Sequence, residues 1–153
     1  MRNWKYRSQE INYLLNPAYC GKIIFSTIKK YNEESDNKTF PFALVYLILP
    51  IMLNSDIEEL SFPRTRFVKL INDNPKLFIN FPKRAKDLVS ITNETIEFLL
   101  GGKALIFNDD ATLECNNIPM SNEKIIKKAE NLGKLFALAG SENVIYLMLG
   151  VRP

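Results

Sequence analysis

At 153 residues, 46% of them hydrophobic and 24% charged, the chain has enough apolar content for one domain, or for two small lobes sharing a core. A net charge of +3 is too small to imply nucleic-acid binding by itself, and the absence of histidine removes the commonest general base and the commonest zinc and iron ligand. Cys20 and Cys115 stand far apart and outside any CxxC or CxH spacing, so no metal site is supported, and two free thiols of a reducing cytoplasm are expected.

The opening Met-Arg-Asn-Trp-Lys-Tyr-Arg-Ser has no apolar run of the kind a secretion signal needs, and the first ten residues read as a loose lead-in. Asn16-Pro17 is a helix start, Asn as cap and Pro in the first turn. Cys20, Ile23, Ile24, Ile28 and Tyr31 then form a helical stripe to about Asn32. The polar stretch 33–38 is a loop. Residues 40–53 are apolar on all sides, which predicts a buried helix that Pro50 should kink or end early. That run of 14 is shorter than the roughly 20 residues a membrane span needs.

Ser55 and Glu58 form a capping box for a short helix that Ser61-Phe62-Pro63 breaks. A helix is expected over 66–73. Asn74-Pro75 repeats the Asn-Pro start, and the helix after it places Leu77, Phe78, Phe81, Ala85, Leu88 and Val89 on one side, with a bend at Pro82. Thr92 or Asn93 is expected to cap the next helix, with Ile96, Leu99 and Leu100 inward and Gly101-Gly102 at its end. The period then changes to two: 104–107 and 111–115 flank Asn108-Asp109-Asp110, a hairpin signal. Ser121 caps a long helix carrying Ile125, Ala129, Leu132, Phe136 and Ala139 on one face. Gly140 ends it and Ser141 caps a last helix over 142–149.

The expected fold is mostly α, of the α+β class, in a single domain 1–153. It has an N-terminal helical part at about 11–60, a winged-helix-like part at about 64–116 (three helices plus one β-hairpin), and a C-terminal helical pair at about 121–150.

No phosphate loop or dinucleotide fingerprint occurs. Gly101-Gly102-Lys103 follows a helix where a phosphate loop must precede one, so it reads as a turn into a strand. Asp109-Asp110 suits a solvated hairpin tip better than a metal pair. Cys20 lies four residues past a helix cap, where a thiolate can be activated, yet its apolar neighbours favour a core thiol.

Two surfaces carry the functional expectation. Residues 1–60 hold seven basic and seven acidic residues, whereas 64–86 holds seven basic ones (Arg64, Arg66, Lys69, Lys76, Lys83, Arg84, Lys86) against Asp73 alone. Such a cluster suits a phosphate backbone or an acidic partner; a solvated face is the plain alternative. Glu94 and Glu97 on the helix ahead of the hairpin argue against major-groove reading. The chain also stays apolar towards its end, so Tyr146, Met148, Leu149, Val151 and Arg152 are a candidate partner contact, or else pack on the apolar run 42–53.

Four segments carry a resemblance. They are Asn-Pro-Ala-Tyr-Cys-Gly at 16–21, Phe-Ala-Leu-Val-Tyr-Leu-Ile-Leu-Pro at 42–50, Leu-Gly-Lys-Leu-Phe-Ala at 132–137, and Ile145-Tyr146 followed by Leu-Gly-Val-Arg-Pro at 149–153. In order and spacing they resemble the middle component of bacterial three-component ABC systems, from about residue 11 to 153. The resemblance implies an adaptor on an SMC/Rad50-like ABC ATPase in an anti-phage conflict system. It names a third, effector component as a further candidate partner, and the basic segment 64–86 adds DNA reached through the complex. It implies no catalytic residues. The expectation is a cytoplasmic, non-catalytic adaptor with no cofactor and no membrane contact. The alternatives are a stand-alone winged-helix DNA-binding regulator and an enzyme using Cys20.

Overall fold

The computed structural model describes residues 16–36, 38–53, 69, 71–72, 75–119, 123–139, 145–146 and 149–150. Asn16 opens helix α1, Pro17–Glu34: its Oδ1 accepts the Ala18 N–H at 2.8 Å, and Pro17 occupies the first turn. The stripe Cys20, Ile23, Ile24, Ile28 and Tyr31 is buried. Thr27 is buried beside it, its hydroxyl donating to the Ile23 carbonyl at 2.9 Å.

The apolar run after α1 is not one helix. Phe40–Pro41 is a short strand, β1; a single 3-10 turn, Phe42–Leu44, leads into helix α2, Val45–Met52. Pro50 lies inside α2 and does not end it early. The helix has only two further residues, so the missing N–H costs one bond near its end, and the Leu53 N–H still reaches the Leu49 carbonyl at 2.8 Å.

Pro75–Phe78 forms a 3-10 turn, and α3, Phe81–Asp87, starts afresh after it. Pro82 therefore sits in the first turn of a new helix, where its missing N–H has no intrahelical partner to lose, and bends nothing. Helix α4, Val89–Gly101, follows with only Leu88 between. Thr92 and Asn93 do not cap it. Thr92 lies one turn inside, buried, and its hydroxyl donates to the Leu88 carbonyl at 2.9 Å. Gly102 closes α4 as expected, but Lys103 takes the left-handed turn, with φ 60°.

The hairpin joins β2, Leu105–Phe107, to β3, Thr112–Cys115. The sheet is antiparallel in the order β1-β3-β2, with Phe40 opposite Leu113 and Ile106 opposite Glu114. β1 thus ties the residues after α1 to the hairpin. Helix α5, Lys124–Leu138, begins at Glu123; the expected cap, Ser121, lies outside the described residues. Ala129, Leu132 and Phe136 are buried as expected, and Ile126 and Leu135 join them, while Ile125 and Ala139 are partly buried. α5 packs along α1 so closely that a Cβ on Gly133 would stand 2.3 Å from the Thr27 carbonyl oxygen.

Among the described residues there are five α-helices and one three-stranded sheet, the mostly helical α+β class expected. One apolar cluster runs through all five helices and the sheet. The expected helices over 55–60 and 142–149, and most of that over 66–73, lie wholly or partly outside the described residues; of these, Lys69, Ile71, Asn72, Ile145, Tyr146 and Leu149 are described and helical.

Candidate functional site

Helix α3 turns Phe81 and Ala85 into the core, which leaves Lys83 and Lys86, three residues apart, exposed on the opposite side. Arg84 is half-buried between them. Ile79, in the turn just before α3, is a large apolar side chain 70% exposed. Lys69 is exposed as well. Arg64 and Arg66 lie outside the described residues.

The helix ahead of the hairpin, α4, presents Glu97 and Phe98 to solvent, Phe98 being 54% exposed, and contains no Lys or Arg. Both carboxylate oxygens of Glu94 are buried and accept no hydrogen bond among the described residues. Tyr46, from α2, donates its phenolic O–H to Asn93 Oδ1 at 2.8 Å on another side of the same helix.

The tail residues divide. Tyr146 and Leu149 are buried, and the Tyr146 hydroxyl donates to the Ala43 carbonyl. These two side chains are spent on the chain's own core, Tyr146 against the start of the apolar run 42–53. Met148, Val151 and Arg152 lie outside the described residues.

Cys20 is buried to zero exposure, and burial pushes its thiol up to about 12 against a smaller opposing effect from the Thr95 hydroxyl. It stays protonated at neutral pH, the opposite of an activated nucleophile. Cys115 is likewise pushed up to about 12, chiefly by burial, and its Sγ–H donates to the Phe25 carbonyl at 3.5 Å. Asp110 accepts from the Thr112 hydroxyl inside the hairpin tip, so it serves the turn. Among the described residues no group of three His, Cys, Asp or Glu could hold a metal ion, and no helix is long and apolar enough to cross a membrane.

Two features were missed in the sequence. An open hollow of about 400 Å³ lies between the start of α1, the end of α4 and the start of α5, lined by Gly21, Phe25, Phe98, Leu99, Ile118 and Ile126. Lys22 and Glu123 face each other at its edge, 3.1 Å apart. Both are exposed, so their pairing contributes little to stability. The second is β2, where Ile106 and Phe107 are 42% and 49% exposed on an edge strand. Phe98 and Ile118 are far apart in the chain, and the edge position of β2 depends on pairing with β3, so periodicity signals neither.

A family model described as "ABC-three component (ABC-3C) system Middle Component 3" matches residues 4–153. The chain belongs to this family. No curated protein and no solved structure shows significant similarity to it. This middle component is thus part of a multi-component ABC system, in agreement with the resemblance carried by its Asn-Pro start and its Leu-Gly-Val-Arg-Pro ending. The matched span takes in every described element, so hairpin, cationic helix and apolar tail all lie within the family's common region.

Proposed function

We propose that this middle component is a non-catalytic adaptor that binds the SMC-like ABC ATPase of its anti-phage system in the cytoplasm and links it to the effector component. The observation that carries this reading is the outer side of α3. Lys83 and Lys86 are exposed there, and Ile79, in the turn that leads into the helix, is 70% exposed, so cationic and apolar groups that the core does not use occur within one short segment. Such a surface fits an acidic face with an apolar centre on a protein partner.

The strand order supports a winged-helix lineage. A helix, a short first strand, further helices and a hairpin follow one another, and the hairpin's second strand lies in the middle of the sheet. The helix ahead of the hairpin carries glutamates and no basic residue, so this lineage fits protein binding better than duplex reading.

Co-purification with the ATPase of the same system tests the proposal. Lys83→Glu with Lys86→Glu is expected to weaken retention at least tenfold. Lys127→Glu with Lys134→Glu, the same charge change on exposed positions of α5, should leave it intact. Equal retention of both variants removes α3 from the contact. Tight, steeply salt-dependent duplex binding by the chain alone would replace the adaptor with a DNA-binding regulator.

A further inference from the structure

We propose that two copies of this chain pair through the free edge of β2, joining their sheets across a two-fold axis. The sheet has two edges, and they are treated differently. On the β1 side, the Phe42 N–H reaches the Ala111 carbonyl at 3.0 Å, and Phe40 stands opposite Leu113. Bonded and non-bonded pairs alternate in an antiparallel ladder, so Pro41, between those positions, faces its nitrogen outward. That edge has no N–H to offer there, the usual way of closing an edge.

Among the described residues the β2 edge is open. The Asn108 N–H reaches the Thr112 carbonyl at 2.8 Å and the Asn116 N–H reaches the Ala104 carbonyl at 2.9 Å. Residues 104, 106 and 108 therefore direct their backbone groups at β3, and Leu105 and Phe107 direct theirs outward. Neither outward pair makes a hydrogen bond among the described residues. No proline, bulge or lysine lies within the strand, and two large apolar side chains stand exposed on it.

The edge is complementary to itself. With two copies antiparallel about an axis at Ile106, Leu105 of each copy faces Phe107 of the other, and the ladder gains four backbone hydrogen bonds. Ile106 then faces Ile106 in a non-bonded pair, the kind in which side chains approach most closely. Counted on past the strand into the turns that flank it, the same register brings Lys103 of one copy towards Asp109 of the other at both ends of the ladder. A slide of two residues either way leaves one bonded pair and moves Lys103 opposite Phe107 or Ala111. A slide of one aims inward-bonded groups at the partner. One register alone satisfies backbone, apolar side chains and charge together. The pairing stands whether or not α3 binds the ATPase.

Sedimentation velocity of the full chain over a concentration series tests it. The mass is expected to rise from 17.6 kDa towards double that value. Ile106→Lys should hold the chain at the monomer mass with unchanged circular dichroism. Lys103→Asp should weaken assembly, and adding Asp109→Lys should restore it, a rescue that unfolding cannot mimic. In a Cys115→Ser background, Ile106→Cys should cross-link to its own copy under mild oxidation, because non-bonded pairs place Cα atoms about 4.5 Å apart, within disulfide reach. Ile118→Cys, at a position 37% exposed but off the strand, should not. A monomer at every concentration overturns the proposal, as does a dimer that survives Ile106→Lys and fails to cross-link at 106. If the chain stays monomeric and Ile106→Lys abolishes binding of another component instead, the edge serves a foreign strand and the two-copy pairing is wrong.

Discussion

Among the described residues Glu94 stands out, with two buried carboxylate oxygens and no hydrogen bond to either. A carboxylate held out of water without partners is a net cost, and leucine at the same helical position removes it. Glu94→Leu is expected to raise stability by about 1–3 kcal/mol, read as a higher urea midpoint at unchanged slope. A lower midpoint would show that the carboxylate supports the fold. The thiols act in the opposite sense as pH rises. Their ordinary value is 9.0, and burial pushes both to about 12 in the folded chain. Below 9 both states keep the proton; above it the unfolded chain releases protons that the folded chain retains. Stability is therefore complete at neutral pH and falls as pH climbs from 9 towards 12. Between pH 7.5 and 9.5 the two thiols together are expected to account for a loss of about 1–2 kcal/mol. Cys20→Ala with Cys115→Ala should flatten the urea midpoint over that interval.

Helices with a polar side were legible, and elements defined by long-range pairing were not. The α1 and α5 stripes show their period in sequence, and their ends fall within a few residues of expectation: α1 runs to Glu34 rather than Asn32. The run 40–53 has no polar residue to mark a period, so Phe40–Pro41 looks the same in a buried helix as in a strand. Only its pairing with Leu113, more than seventy residues on, decides the matter. Pro82 and Thr92 were misplaced for one shared reason: each sits near a helix start that carries no side-chain cap, at Asn80 and Leu88. The cationic half of the candidate site was legible because charge must face water. The burial of Tyr146 and Leu149 was not, because apolar residues on a terminal helix fit a core and a partner equally well. Gly133 shows how firmly two of these elements are matched. Gly133→Ala forces α1 and α5 apart and should cost about 1–3 kcal/mol of stability. Gly101→Ala, where a Cβ meets nothing within 4 Å, should be neutral or slightly stabilising. Thermal melts of the two variants side by side check the contrast.

At the scale of the whole molecule, one side chain joins what the sequence divides. Phe40 is fully buried; its ring lies 5.0 Å from that of Tyr31 on α1 and 6.3 Å from that of Phe136 on α5, and its backbone pairs with Leu113 on β3. The three parts expected over 11–60, 64–116 and 121–150 therefore share contacts at one residue. If they form one cooperative unit, damage there must be felt in all three at once. Phe40→Ala removes a large buried ring that the backbone on either side cannot follow inward, and should cost about 3–5 kcal/mol. Unfolding should remain a single transition, and amides of α1, the hairpin and α5 should lose hydrogen-exchange protection together. Retained protection in the hairpin after that of α1 is lost would show instead that the wing folds as its own unit, merely leaning on β1.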